Sequence, residues 1–252
     1  MAIVIPAVHP SNFKTVASLA RQRKDCFYAL GIHPMYVATT HESELLALRN
    51  EVERAMSFPP ELSRFVAIGE IGLDYFVPAL TESPLKEKQE YFYVEQLKIA
   101  RDFGLPVLLH VRKSQDAILK QLRRIKVDTG IAHAFNGSVQ QANAFIDLGF
   151  KLGFGGAMTF SRALQIRRLA TELPLHNIVL ETDAPDISPS WLQEGANSPM
   201  QLPKIGEVLA ELRGISVAEV ARQTSNNALA VLSRLQLPDS GRVISKQLDH
   251  QY

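Results

Sequence analysis

Seven times along its length the chain alternates a short apolar run with a longer stretch of helical spacing. The runs are Ile3 to Val8, Phe27 to Leu30, Phe65 to Ile68, Pro106 to His110, Thr129 to Ala132, Phe150 to Leu152 and Asn177 to Leu180. Their almost unbroken apolar character indicates strands buried on both faces, as in a parallel sheet flanked by helices. Helical spacing covers about Asn12 to Arg23, Glu42 to Met56, Pro84 to Phe103, Ser114 to Arg124, Ser138 to Leu148 and Arg162 to Leu173. Ser138 with Gln141 reads as a capping box, and Ser83-Pro84 as a cap before a first-turn proline. After the seventh run come a loop from Asp183 to about Pro199 and helices at Met200 to Leu212 and Ser216 to Leu235.

This rhythm predicts the α/β class and a TIM-type (β/α)8 barrel. Seven units leave a gap where eight would close with consistent tilt and shear, so the expected barrel carries seven of its eight βα units. Such barrels run to ~250 residues as one unit, and the chain has 252. The expected organisation is one barrel domain over residues 1–236 and a polar, frayed tail over 237–252.

With 46% hydrophobic and 21% charged residues the chain can build a core and is not of disordered composition. Its 27 basic and 26 acidic residues leave +1, too little for a global field that coats nucleic acid, so any such contact must be local. Cys26, the only cysteine, sits in the apolar run Cys26-Phe27-Tyr28 and reads as a buried structural thiol. The segment Met1 to Pro6 has neither a basic n-region nor an apolar run long enough for a signal or a membrane span. The expectation is a cytoplasmic protein with no membrane partner.

In a βα barrel the chemistry sits at the C-terminal ends of the strands. Glu70, His110, His133 and Asp183 all stand where a predicted strand ends. Singly, each is a plausible loop hydrogen-bonder. Jointly, two imidazoles and two carboxylates at one barrel mouth suit a divalent cation. Gly153-Phe154-Gly155-Gly156 lacks the spacing of a dinucleotide fingerprint and reads as close backbone passage near the mouth. Trp191 reads as a loop anchor, with base stacking as the alternative.

The segment Gly69-Glu70-Ile71-Gly72-Leu73-Asp74-Tyr75, with His110-Val111-Arg112, His133-Ala134-Phe135-Asn136-Gly137 and Glu181-Thr182-Asp183-Ala184-Pro185, resembles the TatD family of metal-dependent hydrolases. Gly31-Ile32-His33-Pro34 and Ser225-Asn226-Asn227-Ala228 fit the same pattern, and the similarity runs from about Ile3 to Leu235. The resemblance implies a two-metal hydrolase of phosphodiester or related ester bonds, often a deoxyribonuclease, acting on DNA ends. It assigns Glu70 as the bridging ligand, His110 and His133 to one ion and Asp183 to the other. It also implies a His-x-His pair on a first strand, and no His-x-His occurs in the 252 residues. His9 reads as a loop residue beside Pro10 rather than a substitute. The missing strand, loop and helix would need roughly 20 to 30 residues before Met1.

One complete ligand set, Glu70, His110 and His133, is therefore expected, so that one metal persists where two are implied; Mg, Zn, Mn and Ni are not distinguished. Asp183 and Glu70 are the expected catalytic residues, with Asp183 available as a base for water. Arg112 is a candidate to meet a substrate phosphate in fork geometry, or else forms a salt bridge. His33 is a candidate to contact substrate at the pocket, or else a packed structural imidazole. Two alternatives stay open: hydrolysis of small acyl or aminoacyl substrates at the same site, and an inactive truncated barrel that binds a partner. An open barrel edge also suggests a homodimer.

Overall fold

The computed structural model describes residues 2–192 and 194–236, and the tail expected over 237–252 lies outside them. Strands β1 (Ile3–Pro6), β2 (Cys26–Leu30), β3 (Phe65–Asp74), β4 (Val107–Arg112), β5 (Gly130–Ala132), β6 (Phe150–Phe154) and β7 (Ile178–Leu180) form one sheet in chain order. Every neighbouring pair is parallel. The sheet curls into a half-barrel of the TIM type.

The connecting helices are α1 (Phe13–Gln22), α2 (Ser43–Met56), α3 (Pro60–Ser63), α4 (Leu85–Asp102), α5 (Gln115–Arg124), α6 (Val139–Asp147), α7 (Leu164–Glu172), α8 (Leu202–Arg213) and α9 (Val217–Val231). The short α3 had no sequence signal beyond Pro60 at its first position. The capping box at α6 is present, with the Ser138 hydroxyl accepting from Gln141 N–H and the Gln141 side chain accepting from Ser138 N–H.

Alternation along each strand divides the core. In β2 every residue is buried, but Cys26, Tyr28 and Leu30 join the large cluster beneath the helices, while Phe27 and Ala29 face the barrel interior. That inner layer also holds Val66, Ala67, Ile131 and Val179, and it is filled by Val231, Leu232 and Leu235 at and beyond the end of α9. Burying each of these larger side chains contributes about 1.5–3 kcal/mol. Arg234 Nε donates to the Phe65 carbonyl at 3.0 Å, tying this plug to the N-terminal end of β3. Asn227, buried on α9, donates to the carbonyls of Leu175 and Ile178 at the start of β7. The interior is thus closed at the N-terminal end of the strands, leaving the C-terminal ends for the site.

β3 is longer than its apolar run suggested. It passes through Glu70 and pairs with β4 from Ile71–Leu109 to Asp74–Arg112, with a register shift between Ile68 and Ile71. Gly72 has φ 149°, and a Cβ there would lie 2.0 Å from the His110 carbonyl oxygen. The absence of a side chain at Gly72 lets the two strands approach. Glu70 therefore stands at an irregularity inside a strand, not at its end.

Candidate metal centre

Each prospective ligand is held by backbone chemistry. Gln89 and Gln96 lie seven residues apart on one buried face of α4 and each satisfies a strand-end backbone. Gln96 Oε1 accepts from Ile32 N–H at 2.6 Å and its amide donates to the Ile32 carbonyl at 3.0 Å. His33 N–H donates to the Val8 carbonyl at 2.9 Å. Gln89 Oε1 accepts from Asp74 N–H at 3.0 Å. On the far side, Ala134 N–H donates to Glu181 Oε1 at 2.6 Å. Three of the five non-glycine residues with positive φ among the described residues, Lys113, Ala134 and Asp183, follow β4, β5 and β7 at this end. Backbone held in a sparsely populated region is a common mark of a functional site.

Glu70 Oε1 is the focus. His133 Nε2 lies 2.8 Å from it, His110 Nδ1 3.1 Å and His33 Nε2 3.3 Å. His110 turns Nε2 to Asp74 Oδ2 at 3.0 Å, and His133 turns Nδ1 toward Glu181 Oε1 at 3.6 Å and Asp183 Oδ1 at 3.9 Å. Ligand-type atoms of His33, Glu70 and His110, and of Glu70, His133 and Asp183, lie within 4.8 Å of one another in each group.

The electrostatics follow from this crowding. Burial by itself would raise the Glu70 pKa, but the charge of His133 and hydrogen bonds from His110, His133 and His33 hold it well below the carboxylate range. Burial disfavours charge on His133, yet Glu70 and Glu181 raise its pKa well above the ordinary value. His110 is likewise raised, its bonds to Asp74 and Glu70 outweighing burial. His33 goes the other way because burial prevails over its bond to Glu70. Burial also opposes ionisation of Asp74, but His110 and the backbone N–H groups of Val77 and Phe76 bring it to about 2. Asp183 is pushed up to about 6 by burial and by Glu70, Glu181 and Asp186, against the pull of His133.

A carboxylate oxygen ringed by imidazole nitrogens, two of them raised toward the charged form, holds positive charge where a cation would supply it. The donor set of nitrogen and carboxylate oxygen therefore fits a divalent transition-type ion. Glu70, His110, His133 and Asp183 come together as the sequence suggested, and His33 joins them. Arg112 stands at the rim, its guanidinium 3.8 Å from the Phe76 ring centroid and Nη1 3.8 Å from Asp74 Oδ2. Trp191 donates from Nε1 to Gln201 and packs on the core, anchoring its loop. Gly153 makes room for Glu181, whose Oε2 would lie 2.1 Å from a Cβ there.

Sequence reasoning missed Asp74 and Glu181 as members of the site. Both stand inside recognised motifs, at Leu73-Asp74-Tyr75 and Glu181-Thr182-Asp183, and an acidic residue two or four positions from a prospective ligand was the available signal.

A family model described as TatD related DNase matches residues 1–233. An uncharacterized metal-dependent hydrolase of Escherichia coli, YjjV, is 37% identical over 232 residues, covering 92% of this chain and 86% of that protein. A Haemophilus influenzae protein of the same description is 35% identical over 233 residues, covering 92% and 87%. The crystal structure of the E. coli protein superposes with a TM-score of 0.84 at 36% identity, covering 92% of this chain and 86% of that one.

Proposed function

The chain belongs to the TatD family of metal-dependent hydrolases, and from that premise we propose that it hydrolyses phosphodiester bonds of DNA, working from strand ends. The observation that carries this reading is the convergence of three imidazole nitrogens within 3.3 Å of one Glu70 oxygen, with Asp183 adjoining. Glu70, His110, His133 and Asp183 are the proposed ligands. A divalent ion there would lower the pKa of a coordinated water toward neutrality and polarise a phosphoryl oxygen.

The protein's own groups do the rest. Asp183, raised to about 6 in the ion-free protein, would be held as the carboxylate by an ion, and from there it can ligate the ion or accept a proton from water. Asp74 fixes the His110 ring through Nε2. Arg112 and Lys113, both directed at the Phe76 ring, supply the local positive charge for a phosphate that a net charge of +1 does not.

Release of mononucleotides from single-stranded DNA by the full chain, in chelator and with added Mg, Mn, Zn or Ni, tests the reading. Ion-dependent release is expected. Turnover of acyl or aminoacyl esters with no release of nucleotides would replace the substrate class, and turnover of neither would remove the enzymatic reading.

A further inference from the structure

Three imidazoles surround Glu70 Oε1, and the second nitrogen of each ring determines what the first can do. His110 Nε2 and His133 Nδ1 both face carboxylates. A far nitrogen turned to a carboxylate, bonded in His110 at 3.0 Å and at 3.6 Å not bonded in His133, leaves the near nitrogen free to present a lone pair to an ion, the usual arrangement around a bound metal. His33 is wired oppositely. Its Nδ1 accepts from Met35 N–H at 3.2 Å. A neutral imidazole that accepts at Nδ1 carries its single proton on Nε2, and that is the atom 3.3 Å from Glu70 Oε1.

We infer that His33 is not a ligand but a fixed Nε2–H donor that positions the Glu70 carboxylate, an inference that rests on the reading of Glu70 as the ligand shared within the centre. The geometric grouping of His33 with Glu70 and His110 is then a misleading triad: its third nitrogen brings a proton, not a lone pair.

Local sequence imposes this wiring. Pro34 opens a 3-10 segment, Pro34–Tyr36, and His33 occupies its N-cap with φ −71° and ψ 143°. Nδ1 is one bond nearer the backbone than Nε2, so it is the nitrogen that reaches an unpaired N–H in the first turn. His9-Pro10-Ser11 repeats the solution, with His9 capping Pro10–Asn12 and its Nδ1 accepting from Ser11 N–H at 3.2 Å. The ring of His33 cannot turn its Nδ1 elsewhere without giving up the cap, and its backbone is fixed by Val8 and, through Ile32, by Gln96.

The test is imidazole nitrogen spectroscopy on the 15N-labelled full chain, first in chelator and then with zinc. His33 should show an unprotonated Nδ1 and a protonated Nε2 in both states, while His110 and His133 change on adding zinc. A His33 Nε2 that is unprotonated in chelator, or that shifts as a zinc ligand, overturns the inference. Equilibrium dialysis against zinc supplies an independent readout. Asn at position 33 mimics only the capping atom, whereas Gln reaches toward the donor position. His33→Asn should bind the wild-type number of ions about tenfold more weakly, as for loss of an outer hydrogen bond to a ligand, and His33→Gln should recover part of that loss. Fewer ions bound by His33→Asn, or no zinc bound by the wild type, would overturn it as well. None of these readouts uses DNA, so failure of the nuclease reading would be seen separately.

Discussion

The β3–β4 half of the centre and the β5–β7 half hold the same Glu70 oxygen by different means. On the first side His110 meets a carboxylate at each ring nitrogen within 3.1 Å, and Asp74 is fully buried with Oδ1 accepting from Phe76 N–H at 2.8 Å and Val77 N–H at 3.0 Å. On the second, His133 meets Glu70 closely, but its other nitrogen stands 3.6 Å and 3.9 Å from Glu181 and Asp183. Two aspartates of one intrinsic acidity end up at about 2 and about 6. Asp74 is surrounded by donors and Asp183 by other carboxylates, so the first half is pre-organised by strand geometry while the second waits for positive charge.

The change that should affect both halves most is Glu70→Gln, which removes the charge they share. Outer-shell partners of a ligand are worth about 10- to 100-fold in ion affinity, so loss of the shared ligand itself should exceed about 100-fold. Dialysis against zinc measures this, and hydrolysis should fall to background. Near-normal zinc affinity in Glu70→Gln would mean that the two halves bind independently.

Next in size is Asp183. Its pKa is raised on folding from 3.8 to about 6, so the folded ion-free protein favours the protonated form. That preference contributes stability below about pH 4 and is lost as pH rises through about 6. Ion binding by the ion-free protein needs the carboxylate, so zinc affinity should increase over the same interval. Asp183→Asn should remove its own share of this acid limb, the rest belonging to protonation of His110 and His133, and reduce turnover by about 10²–10⁴-fold, the usual range for a general base. The wild-type-minus-variant difference in melting temperature should also vary between pH 4 and 7. A difference that is flat with pH would sink the assignment of the raised pKa to Asp183.

The same contrast governs what the sequence made legible. Strand order, the parallel class and the four principal ligand candidates could be read because they depend on apolar runs and on residues that follow them. Asp74 and the true length of β3 could not, because Gly69-Glu70-Ile71-Gly72 has the composition of a turn while its glycines serve close passage of β3 against β4. Gln89 and Gln96 carry no mark in the sequence that sets them apart from other helical glutamines, yet both are buried and satisfy strand-end backbone groups. Polar residues that satisfy buried backbone have no periodic signature of their own. His33 was a candidate from its motif, but the direction of its proton depends on a single backbone N–H and emerges only in three dimensions.

Smaller effects should distinguish the halves from each other. Asp74→Asn keeps an acceptor for Phe76 and Val77 but removes the charge facing His110, and should cost about 10- to 100-fold in zinc affinity. Glu181→Gln, on the looser side where the His133 contact is 3.6 Å, should cost less than tenfold, since a hydrogen bond is not formed at that distance. Equal losses would show that the looser half tightens fully around the ion.

The smallest effect should lie outside both halves, at Arg112. Its guanidinium is about half exposed, stacked on Phe76 and 3.8 Å from Asp74, a separation that makes the ion pair worth little by itself. If the rim contacts phosphate, Arg112→Ala should raise the KM for an oligonucleotide several-fold, leave kcat within about twofold, and reduce the slope of affinity against salt by about one. Zinc affinity should be unchanged, because Asp74 keeps its bonds to His110 and to backbone. A fall in zinc affinity together with kcat would instead place Arg112 in the β3–β4 half, as a group that holds Asp74 rather than substrate.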